Sequence, residues 1–116
     1  MNKKLYGKTG EEIALAYLLN KGYAILASNF SCHGGELDLV VRDKKGVIVF
    51  VEVKRRFSDA YGTPAEAVTK TKQHRMVIAA QMFLMKNDLQ EAEVRFDIVE
   101  IYGEKVNHIK NAFEVY

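Results

Sequence analysis

Two carboxylates and a lysine near the middle of the sequence are spaced so that they can act on one substrate together. Glu52 and Lys54 lie two residues apart at the end of the β-branched and aromatic run Val47–Val51. Side chains of a strand alternate between its two faces, so Glu52 and Lys54 should emerge on the same face. The turn Asp43–Gly46 joins this strand to an earlier one that carries Asp38, which predicts an antiparallel hairpin. Counted outward from the turn, Asp38 and Glu52 fall at similar depth, and we expect them to face each other.

The predicted pairing of Asp38 with Glu52 requires a cation or a proton, since facing carboxylates repel each other. Mg²⁺ suits such a pair, because it takes one or two carboxylates and keeps several waters. A lysine beside the ion can orient or deprotonate a water, or stabilise the charge that builds on a transferring phosphate. The same residues are also compatible with a structural ion pair of Lys54 with Glu52 or Asp38 at the end of a sheet. Their spacing leaves both interpretations open.

The segments around these residues predict the element order αβββαβ, with a further short strand at the end. Thr9 and Glu12 form a capping box that begins the first helix, and the helix ends before Gly22. A second helix is predicted from Pro64 to about Lys86. The predicted strands are Tyr23–Ala27, Glu36–Arg42, Val47–Lys54, Val94–Tyr102 and Lys105–Ile109, with loops at Asn29–Gly35 and Arg55–Thr63. The strand–helix–strand passage implies a parallel crossover, so we expect a mixed sheet flanked by helices, with the Val47–Lys54 strand at its centre.

Length and composition predict one domain over residues 1–116. Hydrophobic residues make up 48% of the chain and charged residues 28%, which excludes a disordered or fibrous protein. The single cysteine, Cys32, excludes a disulfide-stapled fold and a zinc cluster of thiolates. No apolar run approaches the roughly 18 residues of a membrane span, and the basic start lacks the apolar stretch of a signal peptide. We therefore expect a cytoplasmic protein without a membrane partner.

The charge of the chain is distributed unevenly, although the net charge is only +2. The stretch Lys54–Arg75 contains six basic and two acidic residues, which gives +4. The stretch Asn87–Tyr116 contains three basic and seven acidic residues, which gives −4. The first stretch favours an anionic partner such as nucleic acid and the second disfavours one. Two ordinary solvated faces would produce the same pattern, and that alternative stays open.

Two segments resemble the YraN family of predicted endonucleases: GELDLV at 35–40 and VFVEVKRR at 49–56. Shorter matches, such as Gly10-Glu11 and Arg95-Phe96-Asp97, extend the resemblance over nearly the whole chain. Asp38, thirteen further residues and then Glu52-Val53-Lys54 match the Asp…Glu-x-Lys signature of the PD-(D/E)xK nuclease superfamily. That superfamily includes restriction endonucleases and archaeal Holliday-junction resolvases. The turn before Asp38 reads Gly-Glu-Leu instead of the proline-containing form that gave the superfamily its name.

The resemblance implies a restriction-endonuclease-like αβββαβ core with a catalytic site that binds Mg²⁺ or Mn²⁺. It assigns Asp38 and Glu52 as metal ligands and Lys54 as the catalytic lysine, and the Val53 carbonyl is a further candidate ligand. A glutamate on the first helix of the resolvases matches Glu11, which would otherwise serve only as favourable charge at a helix N-terminus.

Glu36 is a second candidate metal ligand, because strand alternation places it on the face of Asp38 and Val40. The same alternation places Leu37, Leu39 and Val41 on the opposite face.

Six residues that follow the candidate site are predicted to contact nucleic-acid phosphates. They are Arg55, Arg56, Lys70, Lys72, Gln73 and Arg75. Lys72-Gln73 matches a recurring pair of the family, whereas Arg55 and Arg56 directly follow the candidate catalytic strand. Some of the six are expected to be ordinary surface charges.

Together these features predict a metal-dependent endonuclease that hydrolyses DNA phosphodiester bonds, with branched or structured DNA as one substrate class. The alternative is a nucleic-acid-binding or assembly module that has the nuclease fold and little activity, since a fold alone does not establish turnover. A homodimer is among the assemblies to be tested.

Overall fold

The computed structural model describes residues 9–56 and 68–114, which form two helices packed on a five-stranded sheet. The elements are α1 (Gly10–Asn20), β1 (Ala24–Cys32), β2 (Gly35–Arg42), β3 (Ile48–Arg56), α2 (Lys70–Lys86), β4 (Val94–Tyr102) and β5 (Lys105–Ile109). This order confirms the predicted αβββαβ core and its additional last strand. Neither of the described helices is long and apolar enough to cross a membrane.

The sheet is mixed and has β3 at its centre, as predicted. Its strand order follows the sequence, β1-β2-β3-β4-β5. The β1–β2, β2–β3 and β4–β5 pairs are antiparallel, whereas β3 and β4 are parallel and pair over their full lengths. The parallel pair requires a crossover, and α2 lies in the segment that provides it. The last residues of β3 therefore end at the same edge of the sheet as the last residues of β4.

Two apolar clusters cover the two faces of the sheet. Phe50 belongs to the cluster under α2, where it packs with Phe83 and Phe96. Val49 and Val51 belong to the cluster under α1, with Leu18. The four residues Ile48–Val51 are each at most 1% exposed, so β3 is covered on both faces.

The capping box at the start of α1 is confirmed. The Thr9 hydroxyl accepts a hydrogen bond from the Glu12 backbone N–H at 3.2 Å, and the Thr9 N–H donates to Glu12 Oε1 at 3.1 Å. The helix ends at Asn20, before Gly22 at φ 94°, a conformation that favours glycine.

The loop predicted for Asn29–Gly35 is wrong, because β1 continues to Cys32 and β2 already begins at Gly35. The two strands stay paired up to Cys32 and Gly35, and only His33 and Gly34 form the turn. Asn29 has a positive φ of 52°, the left-handed conformation that asparagine tolerates in turns and loops. It lies within a strand here because Ser28 and Phe30 on either side of it stay paired with β2.

The boundaries predicted around residues 55–70 also differ from the structure. Arg55 and Arg56 are the last residues of β3 rather than loop residues, because their pairing with β4 continues to Tyr102. The helix α2 begins at Lys70, after the cap Thr69, whose hydroxyl accepts from the Lys72 N–H at 3.1 Å. The predicted start at Pro64 lies outside the described residues.

Strict alternation along β2 fails at Leu37. The structure places Leu37 in the α2-side cluster with Val40, whereas Leu39 and Val41 lie in the α1-side cluster, as predicted. The ladder between β2 and β3 extends only from Arg42 to Leu39, so the first residues of β2 pair with β1 alone and pack under α2.

The carboxylate of Asp97, in β4, is the anion of a buried polar network on the face of the sheet that α1 covers, opposite the face of Glu52. It is 0% exposed. It accepts hydrogen bonds from His108 Nε2 at 2.7 Å, from Asn111 N–H at 2.9 Å and from Arg95 Nε at 3.0 Å. Burial alone would raise the pKa of Asp97, but these donors and the Arg95 charge hold that pKa below its ordinary value.

Asp97→Asn should lower the free energy of unfolding at pH 7 by about 3 kcal/mol, because Arg95 loses a buried anionic partner. In the wild type this stabilisation is complete above the unfolded-state pKa of Asp97 and is lost as pH falls through the lower folded-state pKa. The variant should therefore show a flatter decline of stability in acid. Urea unfolding at pH 7 and at several pH values below 5 measures both effects.

Glu91→Gln is the matched control, because Glu91 is an exposed acid. It should change the free energy of unfolding by less than about 0.5 kcal/mol and keep the wild-type acid dependence. If Asp97→Asn loses stability in acid as steeply as the wild type does, that loss of stability comes from other carboxylates.

Candidate active site

Glu52 lies at the end of the buried apolar run of β3 and is itself buried, with 3% exposure. It shares a face with Phe50, two residues earlier, and therefore points toward α2. An isolated ionised carboxylate at this depth would be costly, so the side chain needs charged or hydrogen-bonding partners. Three such partners surround it: Asp38, Lys54 and Lys72.

Asp38 is brought to Glu52 by the register of the hairpin. The last bridge of the β2–β3 ladder pairs Leu39 with Val51, so the next positions along the two strands are Asp38 and Glu52. Here Asp38 Oδ2 accepts a hydrogen bond from the Val53 N–H at 2.8 Å. The Asp38 carboxyl lies close enough to that of Glu52 to raise the pKa of Glu52. The convergence expected from counting outward from the turn is thus present in the structure.

Two lysines supply positive charge to Glu52 from different elements. Lys54 Nζ, at the end of β3, lies 3.8 Å from Glu52 Oε2, and Lys72 Nζ, in the first turn of α2, lies 3.5 Å from the same atom. The ion pair of Glu52 with Lys54 that spacing left open is therefore present. The position of Lys72 beside Glu52 was not predicted from the sequence, which assigned it only to phosphate contact.

The close approach of α2 to β2 places Lys72 in this cluster. Gly35 lies directly under the helix, where an added Cβ would collide with the Arg75 carbonyl oxygen and lie 2.8 Å from the Ala79 nitrogen. Only glycine allows the two backbones to be this close. Because Lys72 is one turn before Arg75, this contact sets its height above the sheet.

The pKa of Glu52 is raised to about 8. Burial is the main cause, followed by the hydrogen bond with Asp38 and the Asp38 charge, whereas Lys72 and Lys54 act in the opposite direction. Burial lowers the pKa of Lys72, but the charges of Glu52 and Glu36 reverse this effect and raise it. The site thus contains a carboxyl that readily holds a proton, and that position could equally take a metal cation.

Glu36 lies at the exposed rim of the same cluster. Its Oε1 is 3.3 Å from Lys72 Nζ and 3.7 Å from Arg75 Nη2. Lys72 therefore bridges the exposed Glu36 and the buried Glu52. The role of Glu36 as a metal ligand stays a prediction.

Glu11 belongs to the helix on the other face of the sheet. Gly10, the residue before it, packs against Val53, and a Cβ added to this glycine would lie 3.5 Å from Val53 Cγ1. Among the described residues, the Glu11 side chain forms no ion pair. The start of α1 thus lies near the edge where β3 ends, and the catalytic role of Glu11 stays a prediction.

The other predicted phosphate contacts have different environments. Arg55, Lys70 and Arg75 are exposed, whereas Arg56 is largely buried and pairs with Glu100 at 2.8 Å. Gln73 Nε2 donates to the Val68 carbonyl at 3.0 Å, so it anchors the start of α2. Phosphate contact by all of these residues stays a prediction, and the exposed ones are the most accessible to a ligand.

The donor set around Glu52 fits Mg²⁺. Across residues 9–56 and 68–114, no cluster of three or more His, Cys, Asp and Glu forms a metal site by itself. Asp38 and Glu52 supply two carboxylates, which is the number that Mg²⁺ usually takes when waters and a substrate phosphate complete its shell. The Val53 carbonyl belongs to the same residue as the N–H that binds Asp38. The predicted ligands Asp38, Glu52 and Val53 are thus neighbours.

Comparison with known proteins gives relatives that match over almost their full length. The chain is 48% identical to a UPF0102 protein of Caldanaerobacter subterraneus subsp. tengcongensis, over 97% of this chain and 98% of the relative. It is 46% identical to one of Lachnoclostridium phytofermentans, over 100% and 98%. It is 43% identical to one of Persephonella marina, over 94% and 93%. The model of the uncharacterised protein family UPF0102 matches residues 10–101.

The chain belongs to the UPF0102 family. The matched range begins with α1 and ends within β4, so it contains Asp38, Glu52, Lys54 and Lys72. The UPF0102 region is therefore the unit that holds the candidate site, while β5 lies beyond it.

Mg²⁺ should bind to this UPF0102 protein between Asp38 and Glu52, because a cation relieves the repulsion between the two carboxylates. Asp38→Asn replaces one of the two carboxylates by a neutral amide and should weaken Mg²⁺ binding at least about 10-fold, since a carboxyl binds the metal in its deprotonated form. Isothermal titration calorimetry on both proteins measures the difference.

Asp88→Asn is the matched control for this measurement, because Asp88 is an exposed aspartate beyond the end of α2. It should bind Mg²⁺ as the wild type does. Equal affinity in wild type and Asp38→Asn would remove Asp38 from the ligand set.

Proposed function

We propose that this protein is a metal-dependent endonuclease that hydrolyses phosphodiester bonds of DNA, including branched or structured DNA. The observation that carries the proposal is the convergence of Asp38 and Glu52, which follow the last bridge of the β2–β3 ladder, with the Lys54 ammonium 3.8 Å from Glu52. Two neighbouring carboxyls and a lysine are groups that metal-assisted hydrolysis of a phosphodiester uses. Their order in the chain agrees with the Asp…Glu-x-Lys signature described above.

Asp38 and Glu52 would hold Mg²⁺ or Mn²⁺, with the Val53 carbonyl as a third protein oxygen. When bound, the ion would supply an activated water and neutralise charge on the phosphate. The Val53 N–H, which donates to Asp38 at 2.8 Å, fixes that carboxylate in place. Such a hydrogen bond keeps a metal-binding carboxylate oriented.

Lys54 would act on the reacting phosphate. Its side chain is 34% exposed, whereas that of Glu52 is 4% exposed, so the ammonium stands between the buried carboxyl and the solvent. From this position it can orient the attacking water and stabilise the developing negative charge. Glu52 in turn limits the directions in which the flexible lysine points.

Lys72 would balance the charge of the carboxyl cluster. It lies 3.5 Å from Glu52 and 3.3 Å from Glu36, so its ammonium joins the buried and the exposed carboxylate. Because α2 is fixed on β2 through Gly35, Lys72 can hold this position without a bound substrate.

The DNA backbone would lie along the exposed cations next to the cluster. Lys70 and Arg75 lie in the first two turns of α2, and Arg55 lies at the end of β3. Contacts from such side chains to phosphates bind DNA without regard to sequence. Arg56 forms an ion pair with Glu100, so this arginine also stabilises the end of β3.

Lys54→Ala should lower the rate of DNA cleavage at least about 100-fold and leave DNA affinity nearly unchanged, because a group acting on the transition state contributes to rate more than to binding. The assay compares linear, flapped and four-way DNA with Mg²⁺, Mn²⁺ or EDTA. Cleavage should require the metal.

Lys86→Ala serves as the control, since Lys86 is an exposed lysine at the far end of α2. It should cleave at the wild-type rate. Equal losses of rate and affinity in Lys54→Ala would make Lys54 a phosphate anchor. DNA binding without cleavage of any of these substrates, with either metal, would contradict the endonuclease proposal and favour a nucleic-acid-binding module.

The salt dependence of DNA affinity should follow the exposed cations of α2. The logarithm of affinity falls with the logarithm of salt concentration by about 0.9 for each phosphate contact. Changing Lys70 and Arg75 together to alanine should reduce this slope by up to about two contacts, equally for different sequences. Fluorescence anisotropy at several salt concentrations measures the slope.

Changing Lys86 and Lys105 together to alanine removes the same charge elsewhere and should leave the slope unaltered. A slope that responds to Lys86 and Lys105, and not to Lys70 and Arg75, would place the DNA on another surface.

A further inference from the structure

A second concentration of positive charge surrounds a pocket at the other end of the sheet. The pocket has a volume of about 610 Å³ and lies where α1 ends, β2 turns into β3, and β4 begins. Five cationic side chains line it: Lys21, Lys44, Lys45, Arg95 and Lys110. They come from four separate parts of the chain, and none of them was predicted from the sequence to belong to a site.

The positive charge of this pocket is not compensated within it. Only Asp43 and Glu93 contribute carboxylates to the lining, which leaves an excess of three positive charges. Asp43 is already paired with Arg95 at 3.0 Å. In the part of the chain that the structure describes, the four lysines of the lining form no ion pair. Such an uncompensated concave surface attracts anions.

Two of these lysines contact neighbouring groups on the surface. The stem of Lys44 crosses Gly22, where an added Cβ would overlap the lysine Cε. The Lys21 ammonium lies 5.7 Å from the centre of the Tyr17 ring, within the range of a cation–π contact.

Arg95 forms a rigid base of the pocket. Its Nη1 donates to Asp43 at 3.0 Å, its Nη2 to the Tyr23 hydroxyl at 2.8 Å, and its Nε to the buried Asp97. Asp43 and Asp97 offset the charge of the guanidinium, so the positive potential of the pocket comes from its four lysines. The network of Asp97 thus supports the pocket from below.

Apolar groups complete the wall. Tyr23 and Val47 line the pocket, and Val94 is 40% exposed there. The volume falls within the range of roughly 300 to 1,000 Å³ that is common for small-molecule sites. An apolar wall beside a cationic rim suits a ligand that has a flat ring at one end and a phosphate at the other.

We propose that this pocket binds a phosphate monoester carried on a nucleoside. A phosphate monoester brings a charge of about −1.5 to −2 at neutral pH, which offsets most of the uncompensated positive charge. Lys44 and Lys110 bind the phosphate, and the base lies against Val47 and Val94. The ligand is a free nucleotide or the 5′-phosphorylated end of a strand, which present the same chemical group.

The pocket is separate from the candidate active site. Val47 lines the pocket and Glu52 lies five residues further along the same strand, a distance of about 17 Å at about 3.3 Å per residue. Nucleotide binding here therefore does not depend on the proposed nuclease activity, and each can fail while the other holds.

Titration with adenosine 5′-monophosphate, followed by NMR in the presence of EDTA, tests the proposal. Binding should shift the amide signals of 44–47, Val94 and Asn111, and adenosine without phosphate should shift them at least about 10-fold less at equal concentration. Lys44→Gln combined with Lys110→Gln should weaken binding at least about 10-fold, because each removes a phosphate contact. The Asp38→Asn variant should bind adenosine 5′-monophosphate as the wild type does.

Lys86→Gln combined with Lys105→Gln is the matched control and should retain wild-type affinity. A trinucleotide with and without a 5′-phosphate shows whether the ligand is a strand end or a free nucleotide. If the phosphorylated trinucleotide binds more tightly than the mononucleotide, and this binding is lost without the phosphate, the ligand is a strand end. If it binds more weakly than the mononucleotide, the ligand is a free nucleotide. Equal binding of adenosine and its monophosphate, or shifts confined to residues around Lys54 and Lys72, would overturn the proposal.

Discussion

The buried carboxyl of Glu52 sets the main constraint on the structure. In the central strand β3, an apolar run that is covered on both faces is followed by an acid, and that acid has to be compensated where water is scarce. Asp38, Lys54 and Lys72 meet this need from three different segments. The end of the β2–β3 ladder and the placement of α2 are the backbone features that make their convergence possible. Fold and candidate chemistry therefore depend on the same few contacts.

The two faces of the sheet carry polar groups of different kinds. On the face that α2 covers, Glu52 and its partners form a cluster of neighbouring carboxyls with cations around them. On the face that α1 covers, Asp97 is fully satisfied by strong donors and holds a rigid arginine below a cationic pocket. The first arrangement raises the pKa of Glu52, so this carboxyl readily takes up a proton or a cation. The second lowers the pKa of Asp97 and keeps its carboxylate ionised. The two groups are close along the sheet, since Asp97 pairs with Val51, but they point to opposite faces.

Local patterns predicted most of the fold and the pairing of Asp38 with Glu52. Hairpin register depends on a short turn and on alternation, and both are visible in the sequence around Asp43–Gly46. The length of β1 could not be predicted, because Asn29 favours a loop, whereas the pairing of its neighbours Ser28 and Phe30 with β2 continues the strand through it. The position of Lys72 was also missed. It depends on where α2 begins and how closely it lies on β2, and both are tertiary properties.

The contact between Gly35 and α2 has an electrostatic consequence. No charged group takes part in it, yet it sets how far the Lys72 ammonium lies from the buried acid. A single methyl group at position 35 would lift the helix and weaken the pull of that ammonium, since attraction between charges decreases with distance. The charge balance of the carboxyl pair is in this sense controlled by a residue that has no side chain. A substitution at position 35 would therefore change the pKa of Glu52, although Gly35 has no ionisable group.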